Sequence, residues 1–140
     1  MEFIKTFKWP ILWAFLIFGL SSTVISSKSF VQSVSTVAAG RVTESSFDAF
    51  WRAWWWLFVK GYHFLEFAVL AVLLARALKP RSAAIAFFIS VVYAGTDEFH
   101  QSFVPGRGGM VSDVLIDATG AGFGLILWNL WAKRREESDK

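Results

Sequence analysis

The chain has 140 residues, of which 55% are hydrophobic, with eight Trp and fifteen Phe; that composition fits one small integral membrane unit and argues against a soluble domain. The absence of Cys excludes a disulfide scaffold, a thiolate zinc site, an iron–sulfur cluster and a Cys nucleophile. A formal net charge of +3 is modest, and its cations flank apolar runs instead of forming a stripe with stacking aromatics, which speaks against nucleic acid as a partner.

Four apolar stretches approach the roughly 20 residues needed to cross hydrocarbon. The first, residues 9–26, is opened by Pro10 at a position expected to be the first turn of its helix. Lys5 and Lys8 ahead of it and the small residues 21–27 also fit a cleavable signal peptide. Its apolar core runs past the usual length and lacks a clear cleavage pattern, so a retained span is expected. Residues 27–59 begin polar and Ser/Thr-rich and end in DAFWRAWWWLFV. That Trp cluster is too short for a further span and predicts a separate helix lying at the headgroup level. The remaining spans are predicted over 60–78, 82–104 and 112–132. The expected fold is therefore all-α: a single membrane domain over 1–140, a bundle of four transmembrane helices with an interfacial Trp-rich helix between the first and second.

Orientation follows from the cations near span ends. The side shared by both termini and the second loop holds Lys5, Lys8, Arg76, Lys79, Arg81, Lys133, Arg134, Arg135 and Lys140; the other holds Lys28, Arg41, Arg52, Lys60 and Arg107. Nine cations against five predict cytoplasmic termini in a multi-pass protein.

The segment DEFHQSFVPGRGGMVSDVLID, residues 97–117, carries four carboxylates between two apolar spans. Connectivity brings the start of the second span, the end of the third and the start of the fourth to one membrane face, here the outer one. With a rise of about 1.5 Å per residue, His63, Glu66, Asp97, Glu98 and Asp117 then share a layer within roughly 10 Å of the span ends. Asp113, Asp117, Gly120 and Gly124 follow one another at intervals of four, three and four, which places two carboxylates and a GxxxG on one helix face. Lys60, His63, Glu66 and Phe67 share a stripe on the second span, while Asp97 and Gln101 share a face of the third and Glu98 looks elsewhere. The turn Pro105-Gly106-Arg107-Gly108-Gly109 is expected to hang Arg107 over this cluster as a fork for carboxylate or phosphate.

Ionisable groups inside a span are costly and as a rule face a bundle interior or a water-filled cavity, so an outward-open polar cleft with a ligand is expected. Three chemistries fit. Asp97, Glu98, Asp113 and Asp117 together could hold a divalent cation such as Mg²⁺, Mn²⁺ or Ca²⁺, which prefers oxygen ligands and would grip a phosphate-bearing headgroup. His63 with Glu66 three residues on could serve as general base and orienter. Lys60, Arg107 and Arg52 could instead bind an anionic headgroup or a peptide carboxylate without chemistry. The bland alternative is that the acids only pair with Arg107, Lys60 and His63 and staple three helices, which is a poor way to gain stability. His100, on the remaining face, is expected to be incidental. Ser21 and Ser22 either line the cleft or bond to their own helix backbone.

The succession Lys60-x-x-His63, Asp97-Glu98-x-x-Gln101, Pro105-Gly106-Arg107 and Asp113-x-x-x-Asp117-x-x-Gly120-x-x-x-Gly124 resembles the VanZ-like family of bacterial membrane proteins. The likeness runs from the first span to Trp131. It implies a four-span protein of the bacterial plasma membrane, in a family with a founding member linked to resistance to the glycopeptide teicoplanin. It also implies that Lys60, His63, Glu66, Asp97, Glu98, Gln101, Arg107, Asp113 and Asp117 form the site. The ligand expected from these readings is a lipid-linked cell-wall precursor or another anionic lipid headgroup, bound or modified; the alternative is a metal-assisted membrane enzyme acting on a phosphate- or glycosyl-bearing lipid, with the four acids as ligands and His63 as base. No cofactor is required beyond the candidate divalent cation, and the GxxxG leaves open whether helices meet within one chain or between two.

Overall fold

The computed structural model describes residues 2–24, 30, 32–33, 36–37, 44–78 and 82–138, and among them it contains helices and turns but no strand. Four long helices follow in order: α1 (Glu2–Ser21), α2 (Glu44–Leu78), α3 (Ala83–Gln101) and α4 (Val111–Ser138). Lys28, Arg41, Lys79, Arg81 and Lys140, used above for orientation, lie outside the described residues, as does the end of the first predicted span.

Two boundaries differ from the sequence expectation. α1 begins at Glu2, so Pro10 lies well inside the helix, where it removes one backbone donor. The Trp-rich segment is not a separate helix: it forms the N-terminal half of α2, an unbroken run of 35 residues and about 50 Å. No Pro or Gly interrupts residues 44–60 to end the helix before the span begins, and the first Gly, Gly61, lies where its helix is already established. Of the described helices, residues Ala49–Leu78 and Val111–Ser138 are long and apolar enough to cross a membrane.

α2 and α4 share the largest interface, and their contact is backbone to backbone. A Cβ added at Gly120 would collide with the Phe64 carbonyl, and one at Gly124 would meet the Ala68 carbonyl. Both helices advance by four residues between those contacts, so they run parallel and the GxxxG is used within the chain. Around this seam the core interleaves small side chains, Ala71, Ala75, Ala86, Ala94 and Ala121, with Phe67, Ile17, Leu70, Leu74 and Leu125. α1 is tied on by Trp13 Nε1 donating to the Glu66 carbonyl (2.9 Å) and by Tyr93 Oη donating to the Ala14 carbonyl (2.6 Å).

The distribution of polarity is that of a membrane protein. Phe15, Phe88, Phe99, Phe103 and Leu115 point outward with more than half of their surface exposed, while Asp97, Glu98, Gln101, Asp113 and Asp117 are buried. A soluble chain rarely leaves so much contiguous apolar surface in water.

Candidate functional site

One register carries the site. Because α2 and α4 run parallel at the Gly120 seam, residues that precede it on the two helices also face each other: Lys60 pairs with Asp113, and His63 Nδ1 lies 3.3 Å from Asp117 Oδ1. α3 ends beside them and adds Asp97, Glu98 and Gln101. The loop that returns to α4 turns at Gly106, whose φ of 85° favours glycine, and passes so close to α3 that a Cβ at Gly109 would strike the Glu98 carbonyl. That approach lets the Met110 N–H donate to Glu98 Oε2 (2.8 Å).

The polar layer divides into a satisfied ring and an unsatisfied centre. In the ring, Asp97 accepts from Ser21 Oγ (2.7 Å) and from Gln101 Nε2 (2.8 Å), and Gln101 Nε2 also lies 3.2 Å from Glu98 Oε1. Asp113 takes Lys60 and, at 3.2 Å, Ser112 Oγ. Ser21 also bonds to its own helix backbone, its hydroxyl lying 3.0 Å from the Phe18 carbonyl, and Ser22 bonds to the same carbonyl (2.6 Å). In the centre, Asp117 is fully buried and neither of its oxygens has a hydrogen-bond partner. His63 Nδ1 and Glu66 Oε1 are likewise buried without one, the 3.3 Å approach of His63 to Asp117 lacking hydrogen-bond alignment.

Arg107 is committed differently from the expectation of a fork held out to a ligand. Its Nε and Nη2 donate to the Thr23 carbonyl (3.0 and 2.7 Å), Nη2 reaches the Leu20 carbonyl at 3.3 Å, and Nη1 donates to Gln101 Oε1 (3.1 Å). The guanidinium thus ties carbonyls at the end of α1 and just beyond it to α3. His100 stacks on Phe18 with ring centroids 4.3 Å apart, another link between the same two helices.

The residues brought together as a possible ion-binding group are His63, Glu98 and Asp117, one from each of three helices, each offering a ligand atom within 4.8 Å of the others. Asp97 and Asp113 of the expected oxygen set are occupied in the ring, one by Ser21 and Gln101 and the other by Lys60. Among the described residues, the carboxylate at ion-pair distance from His63 belongs to Asp117, and Glu66 lies outside that distance.

Above the layer opens a cavity of about 610 Å³. Its floor is polar, with Tyr62, His63, Gln101, Arg107 and Asp113; its walls are Trp51, Trp55, Phe58 and Phe30 together with the end of α1. From sequence, the cluster of Trp51, Trp54, Trp55 and Trp56 reads more readily as interface anchors than as a binding platform. Trp51, Trp55, Phe58 and Tyr62 recur at intervals of four, three and four, so they share one helical face, which Glu66 continues four residues on, and that face is legible in the sequence. Trp54 and Trp56, on other faces, are exposed as interfacial anchors would be.

A family model described as VanZ/LLP1 matches residues 8–132, nearly the whole chain. The chain belongs to this family. The match spans α2, α3 and most of α1 and α4, so every residue of the polar layer lies within the VanZ/LLP1 region. No curated protein and no solved structure matches the chain. Membership, together with two helices long and apolar enough to span, makes this VanZ/LLP1 chain a membrane protein.

Proposed function

We propose that this VanZ/LLP1 protein is a four-span protein of the bacterial plasma membrane, with both termini cytoplasmic, and that its outward-facing cleft binds the headgroup of a cell-envelope amphiphile such as a lipid-linked wall precursor. By holding that ligand it lowers susceptibility to teicoplanin. The observation that carries the reading is the union of an aromatic wall and a polar floor in one cavity of about 610 Å³ at the end of the bundle. A lipid headgroup with its first acyl or prenyl carbons needs that combination: apolar surface for the chain and donors and acceptors for the head. The cations support the orientation, since Lys133, Arg134 and Arg135 follow the apolar part of α4 at the end away from the cleft.

Much of the polar layer also acts as a staple. The ring of Ser21, Asp97, Gln101, Arg107, Lys60 and Asp113 is internally satisfied and fixes the helices. That ring supplies part of the cavity floor, while the aromatic walls and, on the floor, Tyr62 and His63 stand outside it.

The test is a susceptibility assay in a host lacking the protein. Wild-type chain should raise the inhibitory concentration of teicoplanin, and Trp55→Ala, produced in the membrane at equal level, should lose most of that rise. A rise equal to wild type in Trp55→Ala, or no rise with wild type, contradicts the reading.

A further inference from the structure

We propose that His63, Glu98 and Asp117 form a binding site for one divalent transition-metal ion, of which Zn²⁺ is the best fit, at the meeting point of α2, α3 and α4. The site differs from a general patch of acids in three ways. It draws one residue from each of three helices, with one ligand atom from each lying within 4.8 Å of the others. Its members are buried, at 5%, 5% and 0% exposure, where uncompensated charge is expensive. And Asp117, its most buried member, presents two oxygens with no hydrogen-bond partner, although nearly all buried polar atoms in folded proteins have one.

The surrounding ring sharpens the assignment. Asp97 and Asp113 already have partners, and Lys60 is held by Asp113. Glu98 accepts one bond on each oxygen, from Gln101 at 3.2 Å and Met110 N–H at 2.8 Å, so each oxygen keeps a lone pair for an ion. These contacts position Glu98 as supporting hydrogen bonds position a metal-bound carboxylate.

Charge and ligand type select the ion. Two carboxylates and a neutral imidazole carry two negative charges, which one divalent cation cancels. One nitrogen and two oxygens suit Zn²⁺, with Mn²⁺ next, whereas Mg²⁺ and Ca²⁺ favour oxygen-only shells of six or more ligands. Ligands of a tetrahedral Zn²⁺ at about 2.0–2.2 Å stand roughly 3.4 Å apart. The His63–Asp117 separation of 3.3 Å already matches, and all three ligand atoms lie within 4.8 Å of one another. Three protein ligands leave a position open, and His63 also borders the cleft. If the cleft binds amphiphiles as proposed above, an oxyanion of the headgroup can complete the shell; ion binding itself does not rest on that reading.

The experiment titrates detergent-purified full-length protein, stripped with chelator and free of any affinity tag, with Zn²⁺ alone, reading heat and bound metal by mass spectrometry. One Zn²⁺ per chain is expected, with Mn²⁺ weaker and Mg²⁺ unable to compete. Asp117→Asn and Glu98→Gln should each weaken Zn²⁺ binding at least about tenfold, whereas Glu136→Gln, exposed at the far end of α4, should not. Because Asp117→Asn could impair folding, X-ray absorption of the Zn²⁺-loaded wild type supplies a second readout, with one imidazole nitrogen and oxygen neighbours expected. No binding by wild type, unchanged affinity in a folded Glu98→Gln, or a shell without imidazole overturns the proposal. As no lipid is present, such a failure leaves the amphiphile reading standing.

Discussion

Lys60 and Asp113 show how the ring works at the scale of single side chains. Asp113 is 7% exposed and sits in the first turn of α4, where the helix dipole favours a carboxylate, and Lys60 reaches it from α2 with its own side chain partly in solvent. Losing one partner strands the other, whereas losing both removes the demand along with the supply. Lys60→Gln should therefore lower unfolding stability by about 1–3 kcal/mol, and the double variant Lys60→Gln/Asp113→Asn should recover part of that loss. Denaturation of the purified chain in mild detergent checks this; a double variant less stable than the sum of the two single changes contradicts it. Arg107 belongs to the same scale. From sequence it is a free fork, because nothing in the local string reveals that the carbonyls of Leu20 and Thr23, more than eighty positions earlier, lie beside it where α1 ends.

At the scale of elements, the parallel seam of α2 and α4 decides where the site residues go. Gly120 and Gly124 let the two backbones touch, and the resulting register aligns Lys60 with Asp113 and His63 with Asp117. Gly120→Ala should push the helices apart, at about 1–3 kcal/mol for overpacking a close contact, and lower the melting temperature. Gly95→Ala on α3 has no atom within 4 Å of the added Cβ and should leave it unchanged or slightly higher. Equal effects from the two changes would count against the seam. The four-three-four spacing of Asp113, Asp117, Gly120 and Gly124 made this face legible, since it is a property of one helix. The long α2 was not legible: the Trp-rich stretch reads as interfacial by composition, but composition does not say whether a helix stops before the next apolar run. Only the absence of Gly and Pro between 44 and 60 could have said so.

Across the whole molecule, the end-on placement of polarity connects fold to function. The apolar exterior faces outward around the bundle, the buried core holds it together, and the ionisable groups gather near the end where α1 stops, α3 turns and α4 begins. Membrane class and the residues of the polar layer could be read from the sequence because hydropathy and helical period are local. The division into a satisfied ring and an open centre could not, since it depends on which of nine candidate polar residues find partners across helices. The cavity walled by Trp51, Trp55 and Phe58 above that layer is where the account makes its central claim, that the cleft takes an amphiphile headgroup. Native mass spectrometry of the protein released from its own membranes tests it most directly. Wild type should carry one co-purifying phosphate-bearing envelope lipid, with most of that occupancy lost in Trp55→Ala, while a wild type that flies bare, or a variant that retains the same lipid to the same extent, would contradict the account.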